Sequence, residues 1–496
     1  MSHLVLLPIL IPLGGAVVAL FLMRTPRWQG VWTLGVMGTA VSTSTILLWT
    51  VFQTGEPVIF YGGGWAAPFG IALVGDLLGA LMALMSQVVL LMGTIYALGA
   101  KDKNVRYPGF YPLFLMLTTG LTGAFLTVDL FNLFVFAELL VISGTVLTAI
   151  SDDKLGTEAA YKYFYISLLA AAFLLLANGV LYVSYGTLNM ADLAERIAAD
   201  PTAPLLTTGI ALLMATFMIK SAVFPFHFWQ PDFHTAAPTA VSAMLSSVVV
   251  KLGVYGFVRM TTLLFVQQAA LIQTLLIILG VVGIFYGGFS AIGTHNVKRM
   301  LAYSTLAQIG FILVGVGWGT PLSLAAALVF TINHSLIKAA MLMLAGFVAS
   351  RASVKSAAFA VVTGLGRQLP LAGMLFFVGA LALAGIPPTN GFISKLLLFN
   401  SGVEASQLAV LSLMALGSLA TLIYTMRAFQ RIWWEPQVDT AVTLKPSGDR
   451  LIAPGILIGL TLLLGLWAEP LLQLAETTTL WLGQPELYIT AVLSGG

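Results

Sequence analysis

Phe217-Met-Ile-Lys220-Ser-Ala-Val-Phe224-Pro225-Phe-His227-Phe-Trp229-Gln-Pro231 is apolar enough to lie inside a bilayer, yet it carries a lysine and two prolines. Proline removes a backbone donor and clashes with the preceding turn, so a helix through this stretch breaks, and freed carbonyls inside a membrane must face protein or water. The stretch therefore predicts a broken transmembrane helix with a cation beside its break. Gly385-Ile-Pro387-Pro388-Thr-Asn390-Gly391-Phe-Ile-Ser-Lys395 shows the combination again, with the lysine after the prolines instead of before them.

The rest of the chain supplies the membrane. Of its 496 residues 59% are hydrophobic and 8% charged, with a mean hydropathy of +0.98, whereas soluble domains carry about a quarter charged residues. The net charge of +3 forms no nucleic-acid patch. No cysteine is present, which excludes iron–sulfur, zinc-thiolate and disulfide chemistry within the chain. At about 20 apolar residues per span, the sequence predicts an all-α polytopic fold with fourteen helices. They lie near 4–23, 31–53, 70–99, 110–127, 129–150, 160–185, 205–229, 239–261, 269–292, 299–318, 322–349, 370–400, 406–430 and 451–468. The first is too long for a signal-peptide core and reads as an uncleaved span.

Loop charges test that count. Arg24, Arg27, Lys101, Lys103, Arg106, Lys154, Lys162, Lys298, Arg299, Arg351, Lys355, Arg367, Arg427, Arg431, Lys445 and Arg450 all fall on one side. The opposite loops hold only Arg196 and Arg259 among basic residues. The positive-inside rule then makes the first side cytoplasmic and places both termini outside, in a bacterial-type inner membrane. The amphipathic run 189–199 and the polar tail after 468 are expected at the outer interface.

Five spans separate the two breaks, the seventh and twelfth helices, as two five-helix repeats would require. An odd repeat length inverts one repeat in the membrane relative to the other. The expected division is a three-helix segment at 1–109, a first repeat (helices 4 to 8) at 110–262, a second (helices 9 to 13) at 263–430, and a loop, last helix and outer tail at 431–496.

Inside the spans sit Glu138, Lys220, Lys251, His334, Lys338 and Lys395. A charge at mid-membrane costs roughly 2.5–3.5 kcal/mol on insertion scales, so the five charged groups among them, four lysines and Glu138, call for a purpose. Glu138 and Lys220 are natural partners. Burial favours the neutral form of such groups and pairing the charged form, so the protonation of one depends on the other. His334 and Lys338, four residues apart, share one helix face. In helix order the six form a line for lateral proton transfer near mid-membrane. Lys338 reads as the member nearest a helix end, where snorkelling or packing would account for it, and Asp76 and Asp129 read as cap-like groups at span ends. His227, Asp232 and His234 match no metal-ligand spacing, so no metal and no cofactor is expected.

These residues resemble a known family. Pro231-Asp-Phe-His-Thr-Ala-Ala-Pro238, Val250-Lys251-Leu-Gly-Val-Tyr-Gly-Phe-Val-Arg259, Asn296-Val-Lys298-Arg299-Met-Leu-Ala-Tyr-Ser304-Thr-Leu-Ala-Gln308, His334-Ser-Leu-Ile-Lys338 and the stretch from Gly385 to Lys395 are similar to the proton-translocating antiporter-like membrane subunits. These occur in respiratory NADH:quinone oxidoreductase, membrane-bound hydrogenases and multisubunit Mrp-type Na+/H+ antiporters. The resemblance implies fourteen helices, two inverted repeats, and proton-transfer roles for Glu138, Lys220, Lys251, His334 and Lys395, with Lys338 in the matching motif. It also implies other hydrophobic subunits as partners, and H+ and Na+ as the transported ions. The stretches Gly62 to Ile71 and Gly123 to Asn132 look more like the Mrp branch. An N- or M-type subunit of a redox-driven pump is the alternative.

Overall fold

The protein, seen here as a computed structural model, is described over residues 2–494 except 101, 103, 152, 353, 355 and 437–446. The loop cations Lys101, Lys103, Lys355 and Lys445 lie outside the described residues. Every expected apolar segment is occupied by helix. The first third forms α1 (Leu7–Phe21), α2 (Pro26–Thr54), α3 (Leu77–Gly99), α4 (Phe110–Leu126), α5 (Leu130–Ala149) and α6 (Lys154–Tyr185). After the short amphipathic α7 (Met190–Ala199) come α8 (Leu206–Lys220), α9 (Trp229–Ala236), α10 (Thr239–Met244) and α11 (Lys251–Arg259). Two long helices, α12 (Ala269–Gly293) and α13 (Val297–Trp318), lead to α14 (Pro321–Arg351) and the single turn α15 (Phe359–Val362). The chain closes with α16 (Pro370–Ala384), α17 (Asn390–Glu404), α18 (Leu408–Phe429), α19 (Ile452–Leu466), α20 (Glu469–Leu482) and α21 (Pro485–Ser494).

Among the described residues, ten helices are long and apolar enough to cross a membrane, and α19 with α20, bent by 80°, makes an eleventh if the pair is one span. Length alone thus gives fewer crossings than the expected fourteen. The shortfall lies at α4 and at α8 and α16, which are shorter apolar helices, the last two being halves of broken spans. A second difference lies before α3. The expected helix near 70–99 begins only at Leu77, because β1 (Val58–Tyr61) and β2 (Ala72–Gly75) pair as an antiparallel hairpin and the Asp76 carboxylate caps α3 by accepting from Gly79 N at 3.0 Å.

One backbone motif occurs twice. Leu130 N donates to Leu188 O and Met190 N to Val128 O, tying the start of α5 to the start of α7. Val297 N donates to Ala357 O and Phe359 N to His295 O, tying the start of α13 to the start of α15 in the same way. The caps match as well, Asp129 accepting from Asn132 N and Asn296 from Arg299 N. Two further parallels follow, since each half next contains a helix pair broken by proline and each closes on a π-helical turn, Met260–Leu264 and Gln430–Trp434. The two motifs lie at opposite ends of the molecule. Asp129 opens α5, whereas Asn296 lines a cavity of about 770 Å³ with Ser151 and Asp153, just beyond the last residue of α5. Inversion is therefore visible in the packing.

That cavity also gathers Asp102, Asn104, Glu158, Asp232, Lys298, Arg299, Ser350 and Asp449, so the loops that hold Asp102, Asp153, Lys298, Ser350 and Asp449 share one end. The π turn before α11, α13 and α14 are almost wholly buried by other helices, while in the most apolar stretches of α2, α6, α12 and α18 fewer than half of the residues are buried. The charged groups ride on the buried set and on the helices packed directly against it.

Candidate functional site

Glu138 projects from α5 toward the end of α8, where Lys220 is the last helical residue. Lys220 Nζ and Glu138 Oε1 stand 3.8 Å apart, with the lysine side chain 7% exposed. At that distance the contact is an ion pair, and neither atom has a hydrogen-bond partner among the described residues. The helix stops at Lys220 itself, five residues before Pro225. Ala222 then takes φ +53°, the left-handed region that costs a non-glycine residue roughly 1–2 kcal/mol. Backbone strain is thus held next to a buried charge, the kind of place where it accompanies function.

The next helix docks on this break. A Cβ added at Gly253 would lie 2.0 Å from Ser221 Oγ and 2.5 Å from Phe217 O, so only glycine lets α11 approach. A Gly253→Val substitution is expected to force α11 away from the break and to cut recovery of folded protein severalfold, read by size-exclusion yield in detergent; wild-type yield would show that this approach is dispensable. Just before α11 the helix widens into a π segment, Leu245–Val249, which sequence reading ran through as continuous α-helix. Such widenings are frequent at functional sites. The π segment presents Ser247 O to Ser335 Oγ of α14 at 3.0 Å and Ser246 Oγ to Thr305 Oγ1 of α13 at 2.7 Å.

Lys251, immediately after it, is fully buried and hydrogen-bonded through Nζ to His334 Nδ1. One turn along α14, Lys338 Nζ donates to Ser304 Oγ at 2.8 Å and to Leu301 O at 3.1 Å. Ser304 continues to Tyr424 OH on α18 at 2.7 Å, beside Gln308 and Thr421, 3.3 Å apart. Lys338 is therefore not near a helix end. It lies in the middle of the 31-residue α14 with no exposed surface, and the snorkelling account fails because no route to an interface exists. Lys395, past the second break, donates to Ala384 O at 2.9 Å and sits 5.0 Å from the Phe311 ring centre. Gly385, at φ +82°, turns the chain off α16 against the Lys395 stem, where a Cβ would come within 2.4 Å of Cδ.

The six groups thus sit in the buried packing of α5, α8, α11, α14, α13, α16 and α17, as a Glu138–Lys220 pair, a Lys251–His334 pair with Lys338 one turn on, and Lys395 on the Ala384 carbonyl. Buried lysines beside a histidine, hydroxyl and carbonyl oxygens, with one carboxylate at one end, can accept and release protons. Sequence reading missed Ser304, Tyr424, Ser246 and Thr305, since hydroxyl residues are ordinary in membrane helices. It also left aside a charged cluster at the cavity end, where Lys162 bonds Glu158 and Asp232, each at 2.7 Å, and Arg299 reaches Asp232 at 3.2 Å. His234, from the stretch weighed for metal binding, instead faces Ser242 Oγ at 3.2 Å. Asp76 and Asp129 are caps as expected, but Asp76 is also fully buried against Arg259 at 2.6 Å.

Comparison with known proteins adds an independent finding. Residues 127–423 match the family described as NADH:quinone oxidoreductase/Mrp antiporter, TM. The chain is 33% identical over 99% of its length to the whole of the D subunit of the Na+/H+ antiporter of Bacillus subtilis. It is 32% identical over 95% of its length to 97% of the N subunit of the NADH-quinone oxidoreductase of Desulforudis audaxviator. In three dimensions it is similar to a chain of the Mrp complex from a Dietzia species, with a TM-score of 0.90, 28% identity, and 99% of each chain covered.

Proposed function

The chain belongs to the NADH:quinone oxidoreductase/Mrp antiporter transmembrane family, and from that premise we propose that it is the D-type member of a multisubunit Na+/H+ antiporter, carrying protons along its buried lysines. It is a multi-pass membrane protein that works beside other membrane subunits. The observation that carries the reading is the buried belt of four lysines, a histidine and a glutamate on packed helices, with Lys220 paired to Glu138, Lys251 to His334, Lys338 to Ser304 and Lys395 to the Ala384 carbonyl. In this reading protons pass between Glu138–Lys220 at one break and Lys395 at the other, by way of Lys251, His334 and Lys338. The recurring bridge motif, broken pairs and π turns support two inverted repeats spanning 110–262 and 263–430, and the loops sharing the cavity end, with Lys298 and Arg299 among their residues, support a cytoplasmic face there, with both termini outside an inner membrane. Its work is secondary ion transport, without a catalysed reaction of its own.

The similarity to an N-type relative favours a second reading, a proton-conducting subunit of a redox-driven pump. Purification of the native complex separates the two. Small hydrophobic subunits without flavin or iron–sulfur absorbance support the antiporter; a copurifying NADH or hydrogen oxidase would overturn it. Within either complex Lys338→Ala is expected to lower proton movement about as far as Lys251→Ala, by about 100-fold or more, in reconstituted vesicles with a pH-sensitive dye. A variant within twofold of wild type would take Lys338 out of the path.

A further inference from the structure

The second break holds polar groups that the proton belt does not use. Asn390, first residue of α17, is fully buried, and both its side-chain oxygen and nitrogen lack a hydrogen-bond partner. Asn333 on α14 is 3% exposed, and its Oδ1 is likewise unpartnered. A buried amide without partners costs free energy, so two in one region ask for a ligand.

Packing brings them to one level. Gly379 of α16 abuts Ile337 and Met341 of α14, and those residues lie four and eight positions from Asn333 along one face. Six residues beyond Gly379, about 9 Å along the axis, α16 ends at the break, and the same rise back along the antiparallel α14 reaches Asn333. Asn333 therefore faces the end of α16. The start of α17 is pressed onto that end too, since a Cβ at Gly391 would lie 1.9 Å from Ala382 O. Gly465 of α19 seals the other side, its Cβ position 2.2 Å from Pro388 O and 2.6 Å from Asn390 N. Of the last carbonyls of α16, that of Leu381 accepts from Gly385 N and Ile386 N, that of Ala384 accepts from Lys395, and that of Ala382 accepts from no backbone N–H among the described residues. The C-terminal end of a half-helix carries partial negative charge, and such ends with unwound carbonyls hold Na+ in other transporter folds.

We propose that the break between α16 and α17 is a Na+ site, with ligands from the carbonyls at the end of α16 and the side-chain oxygens of Asn333 and Asn390, and that Na+ there competes with the Lys395 ammonium for the Ala384 carbonyl. The proposal rests on the antiporter reading and gives it a coupling step. A protonated Lys395 occupies the carbonyl and excludes Na+; when its proton leaves, the carbonyl is free for the ion. The charged or titratable groups on the helices around Lys395 are His334, Lys338 and Arg351 on α14, Lys298, Arg299 and Tyr303 on α13, Tyr424 and Arg427 on α18 and Glu404 at the far end of α17, while α16 and α19 carry none. No carboxylate lies at the break itself, so the ion competes with the lysine proton alone.

The test is equilibrium binding of 22Na+ to the purified complex, alongside Na+-driven proton movement in vesicles. Wild type is expected to bind Na+ more tightly as pH rises, and Asn390→Ala and Asn333→Ala to lose one bound Na+ per complex. Asn390→Asp, which keeps the size and adds a charge, is expected to bind Na+ about tenfold more tightly and guards against a misfolded alanine variant. If all three assembled variants bind Na+ as wild type does, the site is wrong even where wild-type vesicles exchange ions and the antiporter reading stands. If wild type shows no exchange, that reading falls, while loss of a bound Na+ in the alanine variants would still support the site.

Discussion

Replacing Lys220 by alanine is expected to abolish Na+/H+ exchange by the assembled complex, and Glu138→Gln to reduce it nearly as far. At 3.8 Å and an effective dielectric constant of about 20, the two charges attract by about 4 kcal/mol. That attraction exists only while both are charged, so a proton arriving at Glu138 or leaving Lys220 releases the other. The lysine is placed to respond. Its helix ends at it, the following Ala222 is strained, and α11 with Lys251 lies directly across the break. Alanine at 220 leaves Glu138 half-buried without a cation, and glutamine at 138 keeps the shape while removing the charge, so the pair separates charge from packing. Loss of a positioned proton-transfer group is worth about 100-fold or more in rate. Everted membrane vesicles with a fluorescent pH probe measure the exchange, and copurification of the other subunits shows assembly. Normal exchange by an assembled Lys220→Ala complex would remove that residue from the path.

This prediction was open to sequence reading because its signals are rare ones. A lysine, a glutamate and a proline inside apolar runs stand out from packing residues, and the runs that carry Glu138 and Lys220 are helical in the structure. Depth was harder. Lys338 is well inside the expected span 322–349, which agrees with α14 to within two residues, so its placement nearest an end is an error of depth and not of boundary. The hairpin at 58–75 was hidden because Ile71-Ala-Leu-Val74 is as apolar as the helix it precedes. Asp76 was the available sign: an aspartate directly before an apolar run caps the helix and so marks its first turn. The π segment left a fainter trace, two serines followed by three valines, residues that hold an α-helix weakly. A change of hydrogen-bond register has no signature in hydropathy. The hydroxyl groups linking the lysines depend on contacts between helices far apart in sequence, and only the fold could select Ser304 and Tyr424 from the many others.

Arg259→Leu is expected to be the most destabilising single change in the half of the protein opposite the cavity lined by Lys298 and Arg299. Its guanidinium bonds Asp76 at 2.6 Å and Tyr255 OH at 3.1 Å, and it lies about 5 Å from the ring centres of both Tyr255 and Tyr488. Tyr255 OH in turn donates to Phe125 O at 3.1 Å. One side chain therefore ties α11 to the cap of α3, the end of α4 and the C-terminal α21. Asp76 is fully buried, and its second oxygen has no partner, so the arginine is the carboxylate's one countercharge among the described residues. Removing it strands a charge, which in buried pairs costs about 3–5 kcal/mol, whereas replacing both members by apolar side chains is often close to neutral. The thermal midpoint of the detergent-solubilised complex should therefore fall clearly in Arg259→Leu and recover most of the loss when Asp76→Leu is added. Lysine at 259 keeps the charge but loses the planar fork and its stacking, and should lie between. A single Arg259→Leu variant as stable as wild type would mean that packing of the rings around residue 259, and not the ionic bond, holds this end of the protein together.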